Sequence, residues 1–349
     1  MSGAESQRPP GRRRRRRLSI DEYVEGIEGS DRTVLGRAIT LVESNAADDQ
    51  KLAQELLVRL LPKTGKAVRV GITGVPGVGK STFIEAFGSN LTAAGKRVAV
   101  LAIDPTSGVT QGSILGDKTR MAKLSRDERA FIRPSPSSGS LGGVTRKTRE
   151  SMLVCEAAGF DVILVETVGV GQSETVVADM VDCFLVLMLP NAGDELQGIK
   201  RGILEIADVL AVNKADRDVD AARLAKRDYM YALRMMHGSG MDTGPWSVPV
   251  LMISGLANQG LDLLWNTVLE HRKTLDAAGA LEKKRRGQLK RWMWSMVEER
   301  VLEALHAHPE VSKLAPELEH KVLEGELTPT LGAKTLLEAF GLGADEVRS

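Results

Sequence analysis

The densest chemistry in the sequence lies between Gly74 and Ser81, in the run GVPGVGKS. Gly74, Val75, Pro76, Gly77, Val78, Gly79, Lys80 and Ser81 fit the pattern GxxxxGK[ST] in full, and Thr82 follows directly. Glycines let backbone N–H groups turn inward around phosphate oxygens, and the N-terminus of the next helix adds a positive dipole end. Lys80 is expected to reach the β- and γ-phosphates, and Ser81 to ligate Mg²⁺. The apolar run before the loop and the helix-forming run after it are the context this motif needs. The pattern predicts a nucleotide triphosphate site in which Lys80 is catalytic as well as binding.

The base is read further along. AVNKAD places Asn213, Lys214 and Asp216 at the end of another apolar run. A carboxylate can accept both the N1–H and the 2-amino hydrogens of guanine. Adenine offers neither donor, so its binding would leave Asp216 unpaired, a penalty that discriminates strongly. Lys214 is expected over the base plane and Asn213 as a brace between loops. ISGL follows the next apolar run, and the Ser254–Gly255–Leu256 backbone is expected to approach the guanine O6. The phosphates therefore read as those of GTP, with GDP as product.

Three carboxylates complete the candidate metal set. Asp104 follows the run VAVLAI, Asp117 lies in the segment after it, and Glu166 ends DVILVE. Carboxylates at the carboxyl ends of parallel strands face the ligand crevice. Mg²⁺ takes oxygen ligands and keeps several waters, so Ser81 with one or two of Asp104, Asp117 and Glu166 would suffice. Gln172, in ETVGVGQ, lies in the segment where an activating glutamine is sought. Small GTPases carry Asp in D-x-x-G, whereas here the pattern is E-T-V-G. That change, with Asp after the strand following the phosphate-loop helix, points to the class containing the signal-recognition and metallochaperone GTPases (the SIMIBI class).

The elements that must position these residues are legible as six short apolar runs, 68–73, 97–103, 161–166, 183–189, 208–213 and 248–254. They are rich in Val, Ile and Leu without polar alternation, as strands buried on both faces are. Helical stretches alternate with them. The expected fold is a doubly wound, mainly parallel α/β sheet of the phosphate-loop NTPase type with helical extensions at both ends. Residues 1–17 read as a disordered Arg-rich tail, 18–65 as an N-terminal helical extension, 66–270 as the GTPase domain and 271–349 as a C-terminal helical dimerisation region. Ile39, Val42, Leu52, Leu56, Leu57, Leu60 and Leu61 recur at helical spacing, with Pro62 and Gly65 closing the segment. In residues 291–305, Trp294, Val297, Val301 and Leu305 share a face. Thr328 and Pro329 read as the cap and first residue of a later helix.

Composition sets the outer bounds. The chain has 349 residues, 42% hydrophobic and 27% charged, an ordinary globular balance. Net charge is +1, but residues 1–17 hold seven arginines against Glu5, leaving the remainder at −5. The body is mildly acidic, so a nucleic-acid surface is not expected. The Arg12–Arg17 run reads as a solvated tail rather than a targeting signal, since Asp21 and Glu22 soon follow. Cys155 and Cys183 are the only cysteines. They form no CxxC, and Cys183 reads as a core thiol in a reducing cytoplasm. No run of 18 apolar residues suggests a membrane span.

GVPGVGKST, the DPTS and GSILGDKTRM segments, FIRPSPSSGSLGGV, ETVGVGQSE, PNAGDELQGIK and NKAD together resemble the methylmalonyl-CoA mutase-associated GTPase chaperones, a G3E family formerly labelled transport kinases. The similarity runs from about residue 30 to 310 and excludes the Arg tail. One departure is DPTSGVTQGS, where family members more often carry a Ser-Ser or Ser-Thr version. The resemblance implies a homodimeric, Mg²⁺-dependent GTPase serving adenosylcobalamin-dependent methylmalonyl-CoA mutase, with a cobalamin adenosyltransferase as a further partner. It maps the metal and switch residues onto Asp104, Asp117 and Glu166. A further switch maps onto residues 191–200, with Asp194 and Lys200 as an ion-pairing couple and Lys200 in a catalytic role. No DxHxxG is present, so the cofactor is expected to stay on the partners. The rival readings are a metal-insertion G3E GTPase, which would need a Cys/His cluster, and a transport-linked kinase, which NKAD disfavours.

Overall fold

The structure, a computed structural model, describes residues 16–103, 121–134, 141–167, 173–190, 201–236 and 244–342. Three helices come first: α1 (Ile20–Glu28), α2 (Arg32–Val42) and α3 (Ala47–Leu60). Ser19 and Glu22 cap α1 reciprocally, each side chain taking the other's backbone N–H. Ile39, Leu56 and Leu60 are fully buried, as their helical spacing predicts, and so is Ile27 of α1. Leu61 departs from that expectation at 51% exposed. It begins a 3₁₀ turn, Leu61–Lys63, and so leaves the buried helical stripe.

The centre is a sheet of seven parallel strands: β1 (Val68–Gly74), β2 (Val98–Ile103), β3 (Ala130–Pro134), β4 (Val162–Thr167), β5 (Cys183–Met188), β6 (Val209–Val212) and β7 (Val250–Met252). Their order is β3-β2-β4-β1-β5-β6-β7. The six apolar runs supply six of these strands. The seventh, β3, is an edge strand in which only Ala130 is buried. A half-covered edge does not need a continuous apolar run, so its signal is weak. Its Arg133 reaches α2, bonding Glu43 and Thr40.

Helices cover both faces. On one face lie α1–α3, α5 (Leu141–Ala157), α6 (Ser173–Ala178) and α8 (Val219–Met236), packed on Ile163, Val165, Phe184 and Leu210. On the other lie α4 (Lys80–Ala93) and α9 (Leu261–Ala277), packed on Val70, Ile72, Leu164 and Leu185. Alternate residues of one strand thus serve opposite layers, the period-two rule of a pleated sheet. The short α7 (Arg201–Ile206) leads into β6. Cys155 and Cys183 are both fully buried, and burial pushes both thiols up.

After α9 the chain forms α10 (Ala280–Ala307), α11 (Pro309–Leu323) and α12 (Pro329–Phe340). Thr328 caps α12 through Leu331 N, with Pro329 in its first turn. The first half of α10 is fastened to the sheet. Arg285 pairs with Asp182 at 2.8 Å, and Gln288 donates to the Val181 carbonyl at 2.9 Å. The second half stands clear of the core: Trp294, Val297 and Val301 are exposed, as are Leu289 and Met293.

Candidate functional site

Residues separated by up to 181 positions meet at the carboxyl ends of β1, β4, β6 and β7. The loop after β1 is shaped by left-handed glycines, with Gly77 at φ 80° and Gly79 at φ 94°. Gly74 is required by space as well as conformation. A Cβ there would lie 2.5 Å from the Leu187 carbonyl oxygen of β5. Val78 is fully buried and anchors the loop, while Pro76, Gly77 and Thr82 are exposed.

Lys80 begins α4 and folds back into the loop, where its Nζ donates to the Gly74 carbonyl at 2.7 Å. Burial holds its ammonium below the usual lysine range, while the charges of Glu166 and Glu174 pull it back up. An ammonium that is poorly solvated and held by a backbone carbonyl of the loop is suited to meet phosphate charge.

Ser81 and Glu166 come together beside it. Ser81 Oγ lies 3.5 Å from Glu166 Oε1, and Glu166 is 5% exposed. Two adjacent hard oxygen donors fit Mg²⁺. The next residue of β4, Thr167, donates to Thr73 Oγ1 of β1 at 2.8 Å, locking the two strand ends together.

The loop after β6 meets the loop after β1 through Asn213. Its Nδ2 donates to the Val78 carbonyl at 2.9 Å, and its Oδ1 accepts from Gly255 N at 3.0 Å. Lys214, in the left-handed region at φ 59°, donates to the Gly77 carbonyl at 2.6 Å. Asp216 stands exposed at the rim beside them. Ser254 Oγ accepts from Ala257 N at 2.9 Å, which turns the loop after β7, and Leu256 is 72% exposed at its tip. Gly255 passes so close to α4 that a Cβ would lie 2.8 Å from Phe83 Cα. The residues of the NKAD and ISGL runs are therefore next to the phosphate loop.

Asp104, Asp117, Gln172, Asp194 and Lys200 lie outside the described residues. Sequence reasoning did not single out Glu174. It is 1% exposed, lies in the first turn of α6 and acts electrostatically on Lys80. A signal was present, because Glu174 closes the ETVGVGQSE block, but a glutamate at a helix start reads as an ordinary dipole partner. Thr73 and Thr167 were also passed over, since threonines in strands are common.

The family described as "Methylmalonyl Co-A mutase-associated GTPase MeaB" matches residues 35–310. A Caulobacter vibrioides protein that carries a GTPase name is 58% identical over 325 residues, 93% of this chain and 99% of that one. The mouse protein named methylmalonic aciduria type A homolog, mitochondrial, is 47% identical over 332 residues, covering 92% of this chain and 79% of that one. Among solved structures, one named LAO/AO transport system kinase superposes with a TM-score of 0.74 at 38% identity, covering 91% of this chain and 96% of that one.

Proposed function

This chain belongs to the family of methylmalonyl-CoA mutase-associated GTPases, and on that premise we propose that it hydrolyses GTP to gate cofactor traffic on an adenosylcobalamin-dependent methylmalonyl-CoA mutase. The observation that carries this reading is Asn213. One side chain ties a guanine-type base loop to an intact phosphate loop, within a chain matched over residues 35–310 by that family.

In this reading Lys80 and the backbone from Gly74 to Thr82 hold the phosphates. Asp216 pairs with the guanine edge, Lys214 lies along the base, and the Ser254–Leu256 backbone approaches O6. Ser81 and Glu166, with Asp104 and Asp117, would hold Mg²⁺, which supplies charge to the transferring phosphoryl group. Gln172 is assigned to the water side of the reaction. Phosphoryl transfer of this type asks for positioning and electrostatics rather than a nucleophilic side chain. Asp194 and Lys200 form a switch that partner docking orders. Cobalamin stays on the partners, a mutase and a cobalamin adenosyltransferase, and the chain works in the cytoplasm.

The exposed apolar face of α10, with Leu289, Met293, Val297 and Val301 at four-residue spacing, is assigned to a homodimer. Contiguous apolar patches of this kind mark protein contacts. No described helix is long and apolar enough to cross a membrane.

The experiment is GTP hydrolysis with and without the mutase from the same source, at matched salt. A large stimulation is expected. Intact GTP binding with no stimulation would remove the mutase as client while leaving the GTPase. Phosphoryl transfer from ATP to an amino-acid transport component would favour the kinase rival instead.

A further inference from the structure

The loop after β7 is held from several sides. Ser254 and Gln259 close it by exchanging backbone hydrogen bonds, each of 3.0 Å. Asn213 Oδ1 holds its start by accepting from Gly255 N at 3.0 Å. Its far side is held by a pair of amides. Asn90 Nδ2 donates to Asn258 Oδ1 at 2.7 Å, and Asn258 Nδ2 donates back to Asn90 Oδ1 at 3.2 Å. A carboxamide both donates and accepts, so two of them can bond reciprocally. Asn258 lies in the left-handed region at φ 53°, which Asn adopts more readily than most side chains allow. Asn90 lies on α4, the helix that Lys80 begins, so the pair ties this loop to the helix that the phosphate loop opens.

Most backbone donors of this loop are engaged within it. The N–H groups of Ser254, Gly255, Ala257 and Gln259 donate to Gln259 O, Asn213 Oδ1, Ser254 Oγ and Ser254 O respectively. Between the anchors at Gly255 and Asn258, the Leu256 N–H has no acceptor among the described residues. Leu256 is 72% exposed at the tip. An amide at such a tip serves as a directed donor only when the chain on both sides of it is held in place.

We propose that Asn90 and Asn258 are a positioning pair that aims the Leu256 N–H at the guanine O6, and so set the preference for a 6-oxo purine. The proposal rests on the guanine reading of Asp216 and of this loop given above. In that reading Asp216 takes the N1–H and 2-amino hydrogens, which leaves the O6 edge to the loop after β7. Neither amide touches the nucleotide; both act through the loop backbone. The pair is exposed, where a hydrogen bond contributes little to folding, so its effect on the base can be read apart from stability.

The test is titration of the full chain with GDP and with 6-thio-GDP, in which sulfur, a weak acceptor, replaces O6. Asn258→Gly keeps the left-handed turn and Asn90→Ala keeps the helix, so each removes an amide without straining the backbone. Wild type is expected to favour GDP. Each variant should lower the ratio of GDP to 6-thio-GDP affinity by at least about threefold, through GDP alone. The double variant should lose no more than either single one, because the two amides act as one unit. A ratio kept at the wild-type value in the variants overturns the proposal, even where both affinities fall together. So does a double variant whose two losses multiply. Equal binding of the two nucleotides by wild type overturns the O6 reading of the loop and the proposal with it, and absence of GDP binding overturns the GTPase reading itself.

Discussion

Asn213 Nδ2 donates to the Val78 carbonyl at 2.9 Å, so a residue after β6 holds the crown of a loop that follows β1. The same side chain accepts from Gly255 N after β7. Both bonds are buried, with Asn213 at 2% exposed. The loops after β1, β6 and β7 are tied together because a single amide bonds to both of the others.

Asn213→Ala would leave the Val78 carbonyl and the Gly255 N–H without their partner. Each unsatisfied buried group costs about 1–3 kcal/mol. The expected loss of unfolding free energy is about 2–4 kcal/mol, read by urea titration of the nucleotide-free chain. GDP affinity should fall by at least tenfold in parallel. Unchanged stability would mean that water replaces the amide and that the bridge is incidental.

Asp216→Asn should turn base preference from guanine toward xanthine. An Asn amide can donate to the 2-oxo group of xanthine and cannot accept both guanine donors. At least about a tenfold change in the ratio of GDP to xanthosine diphosphate affinity is expected, by competition with a fluorescent nucleotide. A constant ratio would reject the assignment of Asp216 to the base.

Lys200→Ala should abolish stimulation of GTP hydrolysis by the mutase, if docking orders the 191–200 segment. Turnover assays at saturating mutase decide it. Full stimulation in the variant would remove Lys200 from the switch.

Arg285→Ala should cost stability at neutral pH and recover part of it in mild acid. Asp182, with a side chain 1% exposed, is pushed up by burial, but the hydrogen bonds and charge of Arg285, helped by Arg69, hold its carboxyl below the usual range. A carboxyl lowered on folding contributes stability that is present above its unfolded value, about 3.9, and is lost as pH falls through the folded one. Without Arg285 burial wins and the folded carboxyl rises above its unfolded value, so the stability lost at neutral pH returns in part as pH falls and Asp182 takes up a proton. Breaking such a pair costs about 3 kcal/mol at neutral pH. Urea midpoints at pH 7, 6 and 5 should stay level for the wild type and rise toward acid for the variant. Parallel pH profiles would show that Arg69 alone keeps Asp182 charged.

The readable parts of this protein were those whose physics is local. Gly74 to Ser81 must be contiguous, because adjacent backbone amides and one helix start surround a phosphate, so the run announces itself. Six strands were legible because a strand buried on both faces is apolar throughout. The edge strand Ala130–Pro134 was not, since Arg133 can sit there and reach out to Glu43 on α2. Leu61 left its expected stripe because a helix end is decided by the turn that follows it.

By itself the sequence determined the GxxxxGK[ST] loop, the NKAD and ISGL runs at strand ends and a sheet covered on both faces. All of these depend on residue types within a few positions of one another. Only the tertiary structure decided that Asn213 bridges Val78 and Gly255 and that Glu174 acts on Lys80. Those relationships rest on pairings between distant segments, set by strand order and helix packing, and local residue types carry no record of them.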